Sequence, residues 1–138
     1  MRYSTFGFLA LALIMAVTLT TPLWAHHSFA AEYDSKQPVK VTGAVTKIEW
    51  MNPHVYFYID VKDEQTGRVA NWAWEMVAPA VIQRNGWTRN SMKIGDIVIV
   101  DGTRAKSGET HGNARSVIMA STGKKLGAGS SEGNAPAQ

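Results

Sequence analysis

From Val39 the chain alternates between apolar and polar positions. Val39, Val41, Gly43 and Val45 share one parity, and Lys40, Thr42 and Thr46 the other. Period two with β-branched residues predicts a strand. Beyond Lys47 the bulk moves to Ile48 and Trp50, so the parity slips by one residue. A bulge between Gly43 and Lys47, or a strong bend, produces such a slip. A long, bent strand of this kind can join two parts of one sheet. Asn52-Pro53 ends it, because proline donates no ladder hydrogen bond and restricts the residue before it.

His54 to Val61 predicts the second strand. Val55, Phe57, Ile59 and Val61 form the face assigned to the core, and His54, Tyr56, Tyr58 and Asp60 the other. Lys62 to Gly67 suits a hairpin loop. Arg68 to Met76 predicts the third strand, with Ala70, Trp72, Trp74 and Met76 on one parity and Val69, Asn71, Ala73 and Glu75 on the other. The pattern alone leaves open which parity faces inward. Pro79 and Gly86 bracket a short helix over Ala80 to Asn85, with proline just inside its start and glycine just past its end. Ile97 to Asp101 is nearly all apolar and predicts a fourth strand buried on both faces. A polar loop, Ala105 to Gly112, leads to a fifth strand, Ala114 to Ala120.

Strand, strand, strand, short helix, strand, strand is the order of the OB-fold. The expected fold is therefore all-β, a small five-stranded OB-like Greek-key barrel with one short helix between strands three and four. Residues 39–120 make that barrel and 26–38 an N-terminal arm. Residues 121–138 are rich in Gly, Ser, Ala and Lys, lack apolar periodicity and read as a flexible tail.

Residues 1–25 have the pattern of a signal peptide. Arg2 is followed by an uncharged apolar run from Phe6 to Leu19, then Pro22, and small Ala25 precedes the expected cut. The run is shorter than the roughly twenty residues that span a bilayer. The mature chain, starting at His26, is expected in the periplasm or outside the cell, with no membrane span. The protein has 138 residues and no cysteine, so one domain without disulfides, thiolate metal sites or cysteine nucleophiles is implied. The formal charge of +3 is not the footprint of a nucleic-acid partner.

Several short segments carry a resemblance. They are Ala25-His26-His27-Ser28-Phe29, Glu49-Trp50-x-Asn52-Pro53-His54-Val55, Trp72-x-Trp74-Glu75, Arg84-Asn85-Gly86-Trp87 and Gly112-Asn113-Ala114-Arg115-Ser116. As a set they resemble a family of small exported Gram-negative proteins of unknown function. That resemblance implies a secreted β-barrel and brings no activity and no site residues. More loosely, Trp50, Met51, His54 and Met76 are similar in residue type to periplasmic OB-fold copper and silver carriers. Thioethers and imidazole suit copper(I), and a tryptophan face attracts a cation.

A second metal reading starts at the mature N-terminus. Cleavage after Ala25 leaves His26 with a free amine beside its own imidazole, which can chelate copper(II). His27, His54 or His111 would complete a three-nitrogen site. The candidate metal residues are thus His26, His27, His54, Met51 and Met76, and copper is the only cofactor implied. Against this stands a flexible terminus whose histidines hold nothing.

Trp50, Tyr56, Trp72 and Trp74 are candidates for stacking a ligand, although a closed barrel also needs bulky filling. Glu49, Asp60 and Glu75 offer carboxylates but no nucleophile or general-base constellation, and strand carboxylates are usually solvated. No enzyme activity is expected. The leading reading is an exported binding module for copper. The alternative is a protein- or glycan-binding envelope module without metal.

Overall fold

The computed structural model describes residues 29–129. The expected signal peptide, His26 and His27 lie outside that range. The described chain is all-β apart from two short helices: α1 (Phe29–Glu32), β1 (Tyr33–Trp50), β2 (Val55–Lys62), β3 (Val69–Glu75), α2 (Pro79–Arg84), β4 (Ile97–Ala105), β5 (His111–Met119) and β6 (Lys125–Gly127).

The 18 residues of β1 organise the sheet. From Tyr33 to Ala44 it pairs antiparallel with β4, and from Ala44 to Trp50 it pairs antiparallel with β2. Ala44 is the hinge between the two ladders, opposite both Asp60 and Ile97. The register shifts between Val45 and Lys47, inside the segment where the parity slip predicts a bulge. Gly43 sits against β2 so closely that a β-carbon would meet the Asp60 carbonyl oxygen at 2.5 Å, so glycine is needed for the crossing. The sheet order is β3-β2-β1-β4-β5-β6, and β3 pairs in addition with β5, in parallel. Each of β1 to β5 therefore has a partner on both sides.

The core follows the predicted alternation on β2, where Val55, Phe57 and Ile59 are fully buried. On β3 the tryptophan parity points inward, with Trp74 fully buried and Trp72 at 9% exposure. Val98, Val100 and Val117 come from β4 and β5, and Met76, Ile82 and Trp87 from around α2. Burying an aliphatic or aromatic side chain of this size is worth about 1.5–3 kcal/mol.

Four expectations need correction. β1 starts at Tyr33, so half of the expected arm is strand. Its first residues, Tyr33 to Pro38, lack an alternating apolar pattern and meet β4 only at their two ends, Tyr33 opposite Ala105 and Pro38 opposite Thr103, with a register shift between. β4 runs on to Ala105 and is one-sided: Val98 and Val100 are buried, but Ile97 is 48% exposed. β5 begins at His111, in the expected loop. Finally, the expected tail contributes a sixth strand. Leu126 and Ala128 are buried, and the Trp87 indole donates to the Gly127 carbonyl at 2.8 Å. Three residues with one large apolar side chain are too short to show a period.

Candidate functional site

Tyr56 stands opposite Glu75 in the β2–β3 ladder, and Glu75 opposite Asn113 in the β3–β5 ladder. The parity that sends Trp72 and Trp74 into the core sends Ala73 and Glu75 the other way, to the face that carries Tyr56 and Tyr58. On its own, that face would be solvated. The N-terminal segment covers it instead. Phe29 of α1 packs on Tyr33 with ring centroids 5.3 Å apart, and Tyr33 is only 3% exposed. Beneath this roof Glu75 is 7% exposed.

A buried carboxylate must be paired or hydrogen-bonded, and Glu75 has three donors. His54 Nδ1 lies 2.7 Å from its Oε1. The Tyr33 and Tyr56 hydroxyls donate to its Oε2 at 2.6 and 2.9 Å. Burial first, and the hydrogen bond to Glu75 second, push both tyrosines well above the ordinary phenol value. They stay neutral donors throughout the physiological range. A carboxylate only accepts, so His54 Nδ1 carries the hydrogen of this contact, and in the neutral ring Nε2 is the nitrogen left for a ligand. The His54 side chain is 39% exposed. His111 completes the cluster, with Nε2 3.3 Å from the Tyr33 hydroxyl and Nδ1 4.0 Å from Glu32 Oε1. Next to it, an open groove of about 580 Å³ is lined by Tyr56, Tyr58, Asn71, Thr110 and His111.

Of the residues singled out in the sequence, this cluster contains His54 and Tyr56. His26 and His27 lie outside the described residues, although Phe29, two positions after His27, is part of the roof. Of the thioether set, Met76 is fully buried in the core and Met51 is 49% exposed. Trp72 and Trp74 stack on each other at 5.5 Å inside the core, and the Arg104 guanidinium lies over the Trp72 ring at 5.5 Å. Trp50 is half-buried and has the Arg89 guanidinium over its ring at 5.4 Å.

Glu75, Tyr33 and Glu32 were not among the candidates. The expected solvated carboxylate is instead the hub of the site. Glu49 and Asp60 do not join it: Glu49 accepts from Tyr58 at 2.8 Å and pairs with Lys47, and Asp60 accepts from Asn71 at 2.7 Å. The one signal in the sequence is Phe29 and Tyr33, four residues apart and ahead of the strand expected from Val39.

Residues 14–115, more than half of the chain, match the model of a family described as a family of unknown function (DUF6152). No curated protein matches the chain. Among the described residues no helix is long and apolar enough to cross a membrane.

Proposed function

We propose, for a chain that belongs to the DUF6152 family of unknown function, an exported binding module that holds a copper ion through imidazole nitrogen and performs no catalysis. The signal-peptide pattern of residues 1–25 supports export to the periplasm or beyond. The pairing of β1 to β5 on both sides, with β3 and β5 parallel, supports an OB-like Greek-key barrel as its body.

One observation carries the metal reading: the buried Glu75 carboxylate accepts from His54 Nδ1 at 2.7 Å. A metal-bound histidine usually donates its other nitrogen to a carboxylate, which fixes the tautomer and raises the basicity of the ligating atom. Glu75 gives His54 that arrangement before any ion arrives. His26, with its free amine after cleavage, and His27 supply the further nitrogens. Three nitrogen ligands favour copper(II) among the divalent ions. Burial of Met76 in the core, with Met51 exposed, favours this nitrogen set over the copper(I) set.

Copper titration of the processed protein tests the proposal. One saturable equivalent is expected, with visible absorption typical of nitrogen ligation. His54→Ala is expected to abolish it, and Glu75→Gln to weaken it by roughly 10- to 100-fold, as removal of an outer carboxylate does. Uptake unchanged in His54→Ala would sink the reading. A second reading, a metal-free module that binds a glycan or protein, draws support from the tyrosine-lined groove. Saturable binding of an envelope glycan, lost in Tyr58→Ala and indifferent to chelators, would favour it.

A further inference from the structure

We propose that Glu32, Glu75 and His111 form a second cation position, distinct from the nitrogen set of His54, which takes a zinc-class divalent ion and clasps α1 onto the ends of β3 and β5. One ligand atom from each of the three residues lies within 4.8 Å of the others. Glu32 is the last residue of α1, Glu75 the last of β3 and His111 the first of β5. An ion here would tie together the ends of three elements.

The hydrogen count in the cluster leaves this position open. Tyr33 has one hydroxyl hydrogen, and the 2.6 Å contact assigns it to Glu75. In the 3.3 Å contact with His111, Tyr33 must then accept, so His111 Nε2 carries a hydrogen. With Nε2 committed to Tyr33, Nδ1 is the ring atom that faces Glu32 Oε1, at 4.0 Å. At this separation the two atoms do not hydrogen-bond, since an N–H···O bond spans about 2.7–3.2 Å. Donor atoms that share one zinc ion, each about 2.0–2.2 Å from it, lie roughly 3–4 Å from one another. A slight contraction closes the set.

Charge points the same way. Glu32 and Glu75 converge on one side of the cluster, and among the described residues neither pairs with a lysine or arginine. Two carboxylates and one imidazole, with no sulfur ligand, suit a borderline divalent ion, and a doubly positive ion cancels the pair. With three protein ligands, a coordination position remains for water or a small anion from the adjoining groove.

The test is zinc titration of the processed chain carrying His54→Ala, by calorimetry and thermal melting. That background removes the proposed copper ligand, so the two sites are read apart. One zinc equivalent is expected, with a melting temperature that rises with zinc concentration. Adding Glu32→Gln or His111→Ala should weaken binding by more than the roughly 10- to 100-fold that loss of an outer partner costs. Glu32 is on the surface, so Glu32→Gln keeps the test valid if His111→Ala fails to fold. Absence of zinc binding overturns the proposal, and so does equal affinity in the Glu32→Gln background. Either result leaves the His54 reading standing, because copper uptake by the unsubstituted protein is measured separately.

Discussion

The two faces of the β2–β3 hairpin are built from alternate residues of the same strands, yet they are stabilised by opposite means. Phe57, Ile59, Trp72 and Trp74 face a core of packed carbon. Tyr56, Ala73 and Glu75 face a small polar cluster, sealed by Tyr33 and open at His54 and His111. The apolar face gains by excluding water and filling volume. The polar face gains only where each buried hydrogen-bonding atom has a partner, and it loses heavily when one is removed. Stability should therefore concentrate on the first face, while ligand chemistry concentrates on the second.

The largest effect is expected on the packed face. Trp74 is fully buried, and Gly102 and Gly112 lie so close to its ring that a β-carbon at either would collide with it. Trp74→Ala should cost about 3–5 kcal/mol in chemical denaturation, the range for buried tryptophan. Gly102→Ala overpacks the same spot, where the Asn113 carbonyl is also in the way, and should cost about 1–3 kcal/mol. If both variants unfold like the parent, the comparison between the faces is wrong.

Tyr33→Phe probes the polar face. It removes one of the two donors to Glu75 Oε2 and the acceptor of His111 Nε2, with little change in volume. A loss of about 1–3 kcal/mol is expected, the cost of leaving buried groups unsatisfied. Tyr58→Phe is the control on the exposed side, since its partner Glu49 remains solvated and paired with Lys47. Equal effects from the two substitutions would show that the seal over Glu75 has no special role.

The two faces also differ in how far the sequence reveals them. The core side of β2 follows from the alternation of Val55, Phe57 and Ile59, because period two maps directly onto burial. The bend in β1 follows from the slipped parity between Val45 and Ile48. The polar cluster does not follow, because it needs two facts that no local pattern holds. Glu75 becomes buried only because Tyr33, 42 residues earlier in the chain, folds over it. His111 reaches the cluster only through the parallel pairing of β3 with β5. Alternation puts Glu75 on the parity opposite Trp72 and Trp74 without saying which of the two is buried. With the tryptophans inward Glu75 points outward, and outward is normally solvated, which here is false. β6 is hidden for a different reason: the only apolar neighbour of Leu126 at strand spacing is the small Ala128, and the place of the strand is set by Trp87 and β5.

A smaller effect is expected with alkali. Tyr33 and Tyr56 both have phenol values raised by burial and by Glu75. A group whose folded value is raised contributes stability that is complete below its unfolded value, which is 10.0 here, and that is lost as pH climbs beyond it. The melting temperature should fall above about pH 10 more steeply in the parent than in Tyr33→Phe. Absorbance titration at tyrosine wavelengths should show two phenols that ionise late, and only with unfolding. Two early, reversible ionisations would mean that the roof over Glu75 opens readily.

The smallest effect belongs to the open end of the same face. Lys47 and Glu49 form a 2.6 Å pair, and the Lys47 ammonium lies 5.0 Å from the centre of the Tyr58 ring. Lys47, then Tyr58, lowers the Glu49 value below the ordinary carboxylate range. A lowered carboxylate contributes stability above its unfolded value and loses it as pH falls through the folded one, so any contribution fades in acid. Both side chains meet solvent, where water and salt screen the pair. Lys47→Met should leave denaturation at neutral pH unchanged within error, and what difference exists should vanish in molar salt. The contrast with Tyr33→Phe is the point of the measurement. Both substitutions remove one partner of a carboxylate on the same face of the sheet, a neutral donor from the buried carboxylate and a charged one from the exposed carboxylate. A large, salt-resistant loss in Lys47→Met would mean that position on the sheet, and not the roof of Phe29 and Tyr33, sets the strength of these contacts.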